Sequence, residues 1–128
     1  MKNLLYCADN LDVMRDLLKN DEYRGKIQMI YVDPPFFSGK NYDAVVWKGA
    51  EKEKVAAYED RWERGLEGYL EELSERLVLM KDLLSKDGLI FIHLDWHVVH
   101  HVRIIMDRIF GVKNFVNEII WTLSLDLP

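Results

Sequence analysis

Cysteine is almost missing from this chain. Cys7 stands alone among 128 residues, which excludes an intramolecular disulfide and a zinc site built from several thiolates. It lies in an apolar run and reads as a small buried hydrophobe. A basic excess is missing too: 17 Lys and Arg face 22 Asp and Glu, for a formal charge of −5. A free-standing nucleic-acid-binding domain usually draws most of its affinity from neutralising phosphates, so any grip on DNA needs a local patch or a segment outside these residues. No run approaches the roughly 18 apolar residues of a membrane span. The start, Met1-Lys2-Asn3-Leu4-Leu5-Tyr6, turns polar too soon for a secretory signal, and the expected compartment is the cytoplasm, with no membrane partner. Seven Gly and three Pro are too few for a collagen-like or low-complexity chain. What is present is a globular composition, 49% hydrophobic, at a length that supports one domain and one core.

Apolar segments and their punctuation set out the organisation. Residues 4–7 read as a short strand. Asp9-Asn10 caps a helix carrying Leu11, Val13, Met14, Leu17 and Leu18 at helical spacing. After a polar break at 23–26, Ile27-Gln28-Met29-Ile30-Tyr31-Val32 reads as a strand buried on both faces. Asp33-Pro34-Pro35 ends it, because two prolines cannot continue a ladder. Residues 36–49 show no period and read as a loop. Residues 51–85 read as an amphipathic helix with Leu66, Leu70, Leu73, Leu77, Met80 and Leu84 on its apolar stripe. Gly65 and Gly68 interrupt its first part, and Lys86-Asp87-Gly88 stops it. Residues 89–94 form a second buried strand, 98–110 a helix closed by Gly111, and 115–123 a last strand. This alternation implies an α/β fold: a mainly parallel sheet with right-handed crossovers and helices on both faces. Ligands in such sheets sit beyond the carboxyl ends of the strands, where Asp9, Asp33, His93 and Asp95 fall.

The sharpest signal is Asp33-Pro34-Pro35-Phe36. A strand ending this way makes a rigid turn that offers a carboxylate and a free carbonyl. The prolines contribute no N–H, so those acceptors are unopposed by donors. With an aromatic ring following directly, the constellation suits a planar ligand bearing an exocyclic amine. The competing reading is a proline-stabilised turn with a solvated aspartate.

Val32-Asp33-Pro34-Pro35-Phe36 after an apolar strand resembles the catalytic motif of amino-group DNA methyltransferases. Tyr6-Cys7-Ala8-Asp9-Asn10-Leu11 resembles that family's segment with an acidic residue at the S-adenosylmethionine site. Tyr58-Glu59-Asp60-Arg61-Trp62, then Arg76-Leu77, Met80 and Leu83-Leu84, resemble its next helix. Asp87-Gly88-Leu89-Ile90-Phe91-Ile92-His93-Leu94-Asp95 resembles its next strand motif. Ile109-Phe110-Gly111 and Asn114-Phe115-Val116-Asn117-Glu118-Ile119-Ile120-Trp121 resemble the family's segment after that strand. Together these resemble the class in which the catalytic motif precedes the cofactor glycine loop, as in modification subunits of type III restriction systems.

The resemblance implies a partial Rossmann-like fold that uses S-adenosylmethionine on double-stranded DNA. Asp33 would accept a hydrogen bond from the N6 amine of a flipped-out adenine, the Pro34 carbonyl would accept the second, and Phe36 would stack on the base, with Pro35 completing the motif. Asp9 and Asn10, with Asp33, would hold the cofactor, Asp9 through its adenine amine. Asp9 equally suits a helix N-cap, and one carboxylate can do both. Phe37, Tyr42, His93 and Asp95 are further candidates for contact with the base. Aspartate at the first motif position favours adenine over N4-cytosine, which stays the alternative.

His93, Asp95, His97, His100 and His101 also raise a metal site, since His97 and His101 share a helix face. No third ligand is evident, and the resemblance accounts for the stretch without metal. Lys40, Lys48, Lys52 and Lys54, with Tyr42 and Trp47 among them, suit phosphates near a flipped base or an ordinary surface loop.

No Gly-x-Gly occurs anywhere in the sequence. Residues 1–128 are therefore expected to be the amino-terminal part of a catalytic domain, without the glycine loop or the target-recognition region, partnered by that missing part or by a restriction subunit. The competing class is a non-catalytic remnant or interaction module, and a weaker one is a methyltransferase acting on RNA, a free base or a protein amide. A sheet short of strands would expose an apolar edge and face. Reading the source DNA beyond the Pro128 codon is expected to find an open frame encoding a recognition region and a glycine loop; a clean stop with nothing related downstream favours the interaction module.

Overall fold

The computed structural model describes residues 3–38, 41–48, 51–59 and 64–122. The expectations for Lys40, for Asp60, Arg61 and Trp62, and for the end of the last strand at Leu123 lie outside the described residues. Along the chain the elements are α1 (Asn10–Leu17), β1 (Ile27–Val32), β2 (Asn41–Lys48), β3 (Glu51–Glu59), α2 (Gly65–Leu83), β4 (Leu84–Ile92), α3 (Val99–Phe110) and a 3-10 turn (Val112–Asn114).

β1 and β4 pair in parallel, with Met29 opposite Leu89, Ile30 opposite Ile90, Tyr31 opposite Phe91 and Val32 opposite Ile92. Alternation along a strand sends successive side chains to opposite faces. Ile30, Val32, Ile90 and Ile92 pack on a core formed by Met14 and Leu18, by Tyr69, Leu73, Leu77, Met80 and Leu83 of α2, and by Val98 and Val102. Leu73, Leu77 and Met80 of the predicted stripe thus bury that helix, joined by Tyr69 and Leu83, while Leu84 already belongs to β4. The other sheet face carries Met29, Tyr31, Leu89 and Phe91, all exposed. The α/β class and the parallel pairing match the sequence reading. Burial of both faces does not: the helices cover one face of a sheet that has two strands among the described residues.

Three further expectations are corrected. Residues 41–48 of the expected loop and 51–59 of the expected long helix form an antiparallel hairpin instead, β2 with β3, paired from Asn41–Glu59 to Lys48–Glu51 with a bulge after Tyr42. The run of Glu and Lys at 51–54 suggested a helix, yet its partners are Val45, Val46 and Trp47, residues that favour strands. Cross-strand pairing overrides helical propensity here, and Lys52 Nζ lies 4.7 Å over the Trp47 ring. α2 accordingly starts at Gly65, whose φ of +60° suits glycine.

The helix also stops earlier than expected, because Leu84 is already extended and begins β4. Two steps along β1, from Ile27 to Met29, then match five along β4, from Leu84 to Leu89. Gly88 sits in this irregularity, where a Cβ would come 2.9 Å from the Ile27 carbonyl oxygen and 2.8 Å from Leu84 Cγ.

Finally, residues 4–7 and 115–121 are not in strands. With no third strand of the β1–β4 sheet beside them among the described residues, Leu5, Ile119, Ile120 and Trp121 are exposed, and so is Cys7, which is not the buried hydrophobe expected. Among the described residues no helix is long and apolar enough to cross a membrane.

The helix ends are tied down by side chains and by the chain entering β1. Asp9 Oδ1 accepts the Leu11 N–H at 2.8 Å, the predicted N-cap of α1. Arg24 donates to the Leu18 carbonyl through Nε and Nη2. The N–H groups of Gly25 and Lys26 reach the carbonyls of Asp82 and Leu83, satisfying acceptors that the last turn of a helix leaves open. Lys81 Nζ does the same for Ile109 at the end of α3.

Two substitutions test this packing by chemical denaturation. Leu77 is fully buried, and Leu77→Ala is expected to cost about 2–5 kcal/mol. Gly88→Ala meets backbone as well as side chain and is expected to cost roughly 1–3 kcal/mol; an unchanged midpoint would show that β4 relaxes freely there.

Candidate active site

Asp33 begins where β1 ends, at the carboxyl edge of the parallel pair. The His93 N–H donates to the Val32 carbonyl at 2.9 Å, which carries the ladder one residue beyond β4 and sets His93 beside Asp33. His93 Nδ1 lies 3.6 Å from Asp33 Oδ1 and 3.2 Å from the Tyr31 hydroxyl. The Phe36 ring stands 5.4 Å from the imidazole, tilted by 57°. A carboxylate, an imidazole, a phenol and a phenyl ring therefore meet at one point. Asp33 and His93 are each about half exposed, 53% and 56% by side chain, so an external ligand can reach both.

Sequence reasoning missed Tyr31, although the signal was there: period-two alternation places residues 31 and 33 on the same side of a strand. Phe37 takes a left-handed backbone conformation, φ +59°, which costs a non-glycine residue on the order of 1–3 kcal/mol. The chain turns there, and the Phe37 ring packs 5.7 Å from the ring of fully buried Tyr69. Phe37 is thus part of the packing under the motif, on the other side from the His93 cluster.

A cleft of about 240 Å³ opens beside the two prolines, lined by Asn10, Pro34, Pro35, Tyr69, Glu72, Leu73 and Arg76. Arg76 organises its polar side. Nε donates to Asn10 Oδ1 at 2.9 Å, Nη1 to the Glu72 carbonyl at 3.0 Å, and Nη2 to both carboxylate oxygens of Asp9 at 3.3 Å. The sequence showed Arg76 only as one residue of a family-like helix; its contacts with Asn10 and Asp9 lie 66 and 67 residues away, and no local pattern announces them. The Asp-Pro-Pro-Phe turn thus gives Asp33 and Phe36 to the cluster around His93 and Pro34 and Pro35 to this cleft.

The remaining candidates lie apart from these groups. Both oxygens of Asp95 are engaged by His97, Oδ1 by its backbone N–H at 2.9 Å and Oδ2 by Nδ1 at 2.6 Å. This local turn precedes α3, with the Trp96 ring stacked 3.9 Å from the imidazole. Among the described residues no three His, Cys, Asp or Glu side chains converge as a metal site. Tyr42 pairs with Tyr58 in the hairpin, and its side chain lies outside the described residues. Lys52 and Lys54 are exposed on β3.

Known proteins match this chain over nearly its whole length. The family profile described as DNA methylase, N6_N4_Mtase, covers residues 27–126. The Mod subunit of the type III restriction-modification enzyme EcoP15I from Escherichia coli is 26% identical over 98% of the chain. The StyLTI Mod subunit of Salmonella typhimurium is 31% identical over 93%, and the EcoPI Mod subunit of Escherichia phage P1 is 31% identical over 97%. The chain spans about a fifth of these relatives, 21%, 20% and 21% of their lengths. With the family profile covering the first strand, the Asp-Pro-Pro-Phe turn and everything through α3, the chain belongs to the N6_N4_Mtase family of DNA methylases.

Proposed function

We propose that this chain is the amino-terminal part of the catalytic domain of a restriction-modification DNA methyltransferase, acting on the N6 amine of adenine. The observation that carries the reading is the placement of Asp33-Pro34-Pro35-Phe36 between two unlike environments, a half-open aromatic and imidazole cluster and a proline-walled cleft. In this reading the domain is a partial Rossmann-like one, and the glycine loop and target-recognition region belong to chain beyond these residues. Double-stranded DNA is the substrate, a restriction subunit the partner, and the cytoplasm the place of action.

The cleft fits the adenosyl group of S-adenosylmethionine by its donor set. Pro34 and Pro35 offer flat apolar surface without N–H groups, Asn10 lines it, and Asp9 adjoins it through Arg76. Asp9 and Asn10 would hold the adenine end, Asp9 through the exocyclic amine. When bound, S-adenosylmethionine supplies an electrophilic methyl group. The chain's own residues place the nucleophile. The Asp33 carboxylate accepts one N–H of the target amine and the Pro34 carbonyl the other, which leaves the nitrogen lone pair free to face the cleft. Phe36 stacks on the base, and His93 closes the pocket beside Asp33.

Positioning and stabilisation of positive charge growing on nitrogen account for the acceleration. No strong general base is needed, since the amine becomes acidic only as the new bond forms. Aspartate at position 33 supports adenine over cytosine as the target.

Two substitutions in the full-length protein test the reading by transfer of labelled methyl to an adenine-containing duplex. Asp33→Ala is expected to lower kcat by on the order of 100-fold or more, with an unchanged unfolding midpoint, because a half-exposed side chain is removed. His93→Gln is expected to lower kcat less, by about tenfold, the loss of one contact to a charged group. Undiminished transfer by Asp33→Ala would remove the catalytic assignment and leave an interaction module as the better account.

A further inference from the structure

We propose that Arg76 is a positioning residue of the cofactor cleft, fixing the Asp9 carboxylate so that one acceptor site of Oδ2 stays open for an exocyclic amine. The inference rests on the reading of Asp9 as the partner of the cofactor's adenine amine, and assigns that selectivity to a residue of another element.

Asp9 has acceptor capacity to spare. An ionised carboxylate offers about four lone-pair sites over two oxygens. Oδ1 takes the Leu11 N–H at 2.8 Å and Arg76 Nη2 at 3.3 Å, while Oδ2 takes Nη2 at 3.3 Å. One oxygen is filled and the other holds a single donor among the described residues. The guanidinium is held as firmly from its other side, by Asn10 Oδ1 at 2.9 Å and the Glu72 carbonyl at 3.0 Å. Its side chain is only 21% exposed, against 54% for Asp9, so the cation is the anchored partner and the carboxylate the accessible one.

The charge balance matters as well. A bare carboxylate attracts any cation, whereas one paired with a guanidinium, here with the Glu72 carboxylate 3.9 Å from Nη1 as a second and more distant partner, takes a neutral N–H donor by direction. Only a planar fork reaches Asn10, Glu72 and Asp9 together; a lysine ammonium is a point charge with three donors and no fixed plane. Gluing α1 to α2 is the competing role for Arg76, yet Met14 and Leu18 already share a core with Leu73 and Leu77, and half-exposed ion pairs add little to stability.

Ligand discrimination separates the two roles. Binding of S-adenosylhomocysteine, and of its counterpart with hydrogen in place of the adenine 6-amino group, is measured by calorimetry on the full-length protein. Arg76→Gln is expected to weaken S-adenosylhomocysteine about tenfold, the loss of one charge-assisted contact, and to leave the deaminated compound unchanged. Arg76→Lys, which keeps charge and stem, is expected to fold as the parent and still lose the discrimination. Asp9→Asn with Arg76→Gln is expected to bind no more weakly than Asp9→Asn alone, since the two act through one contact. Equal losses for both compounds, full discrimination by Arg76→Lys, or additive losses would each overturn the proposal. If the parent protein binds both compounds equally, the reading of Asp9 fails and this inference with it; if the parent discriminates and Arg76→Gln does so equally well, only Arg76 was misassigned.

Discussion

Val32 pairs with Ile92, and the ladder runs one bond further, to the His93 N–H; every group at the candidate site takes its place from that register. A slip of one residue along β4 would exchange its buried and exposed faces, sending Ile90 and Ile92 away from the helices and bringing Leu89 and Phe91 toward them. The core on one face therefore specifies the neighbour of Asp33 on the edge. The irregularity between Ile27 and Met29, made possible by Gly88, lets β4 leave α2 without a loop and still arrive in that register.

Proline divides the labour at this edge. A strand that continued would cover its own carbonyls with partners, and a flexible loop would leave them to water. Two prolines hold the backbone extended and strip it of donors, so the turn after β1 is an acceptor-rich partition. Its Phe36 meets His93, and its prolines line the cleft that Arg76 also lines. The strain at Phe37 belongs to the same device, for its left-handed turn drops the ring onto Tyr69 and so anchors the far end of the partition in the core.

Legibility in the sequence followed the range of the interactions. α1 and its Asp9 cap, β1, the stripe of α2, β4 and α3 were all readable, because periodicity and capping are local. The hairpin was not, since Glu51 to Lys54 look helical until Val45, Val46 and Trp47 are set opposite them. The burial of β1 was overestimated, because an unbroken apolar run does not say whether both faces of a sheet have been covered. At the site, Asp33 and Phe36 announced themselves through Pro34 and Pro35, and His93 through its place after a strand. Asp95 was read toward the same pocket but is spent on a local turn with His97. Arg76 is the instructive omission: its contacts depend on the packing of α2 against the start of α1, which no spacing of residues encodes.

The hairpin carries a different kind of consequence. Its two strands bond to each other, in a sheet separate from β1 and β4 among the described residues. It occupies the stretch between the Asp33 motif and the start of α2. The register of β1 with β4 and the contact of Arg76 with Asp9 are both made by residues outside this arm. The Asp33 edge is thereby separated from a neighbouring arm that pairs only with itself among the described residues, and a change of length is tolerated better in such an arm than in the paired core strands.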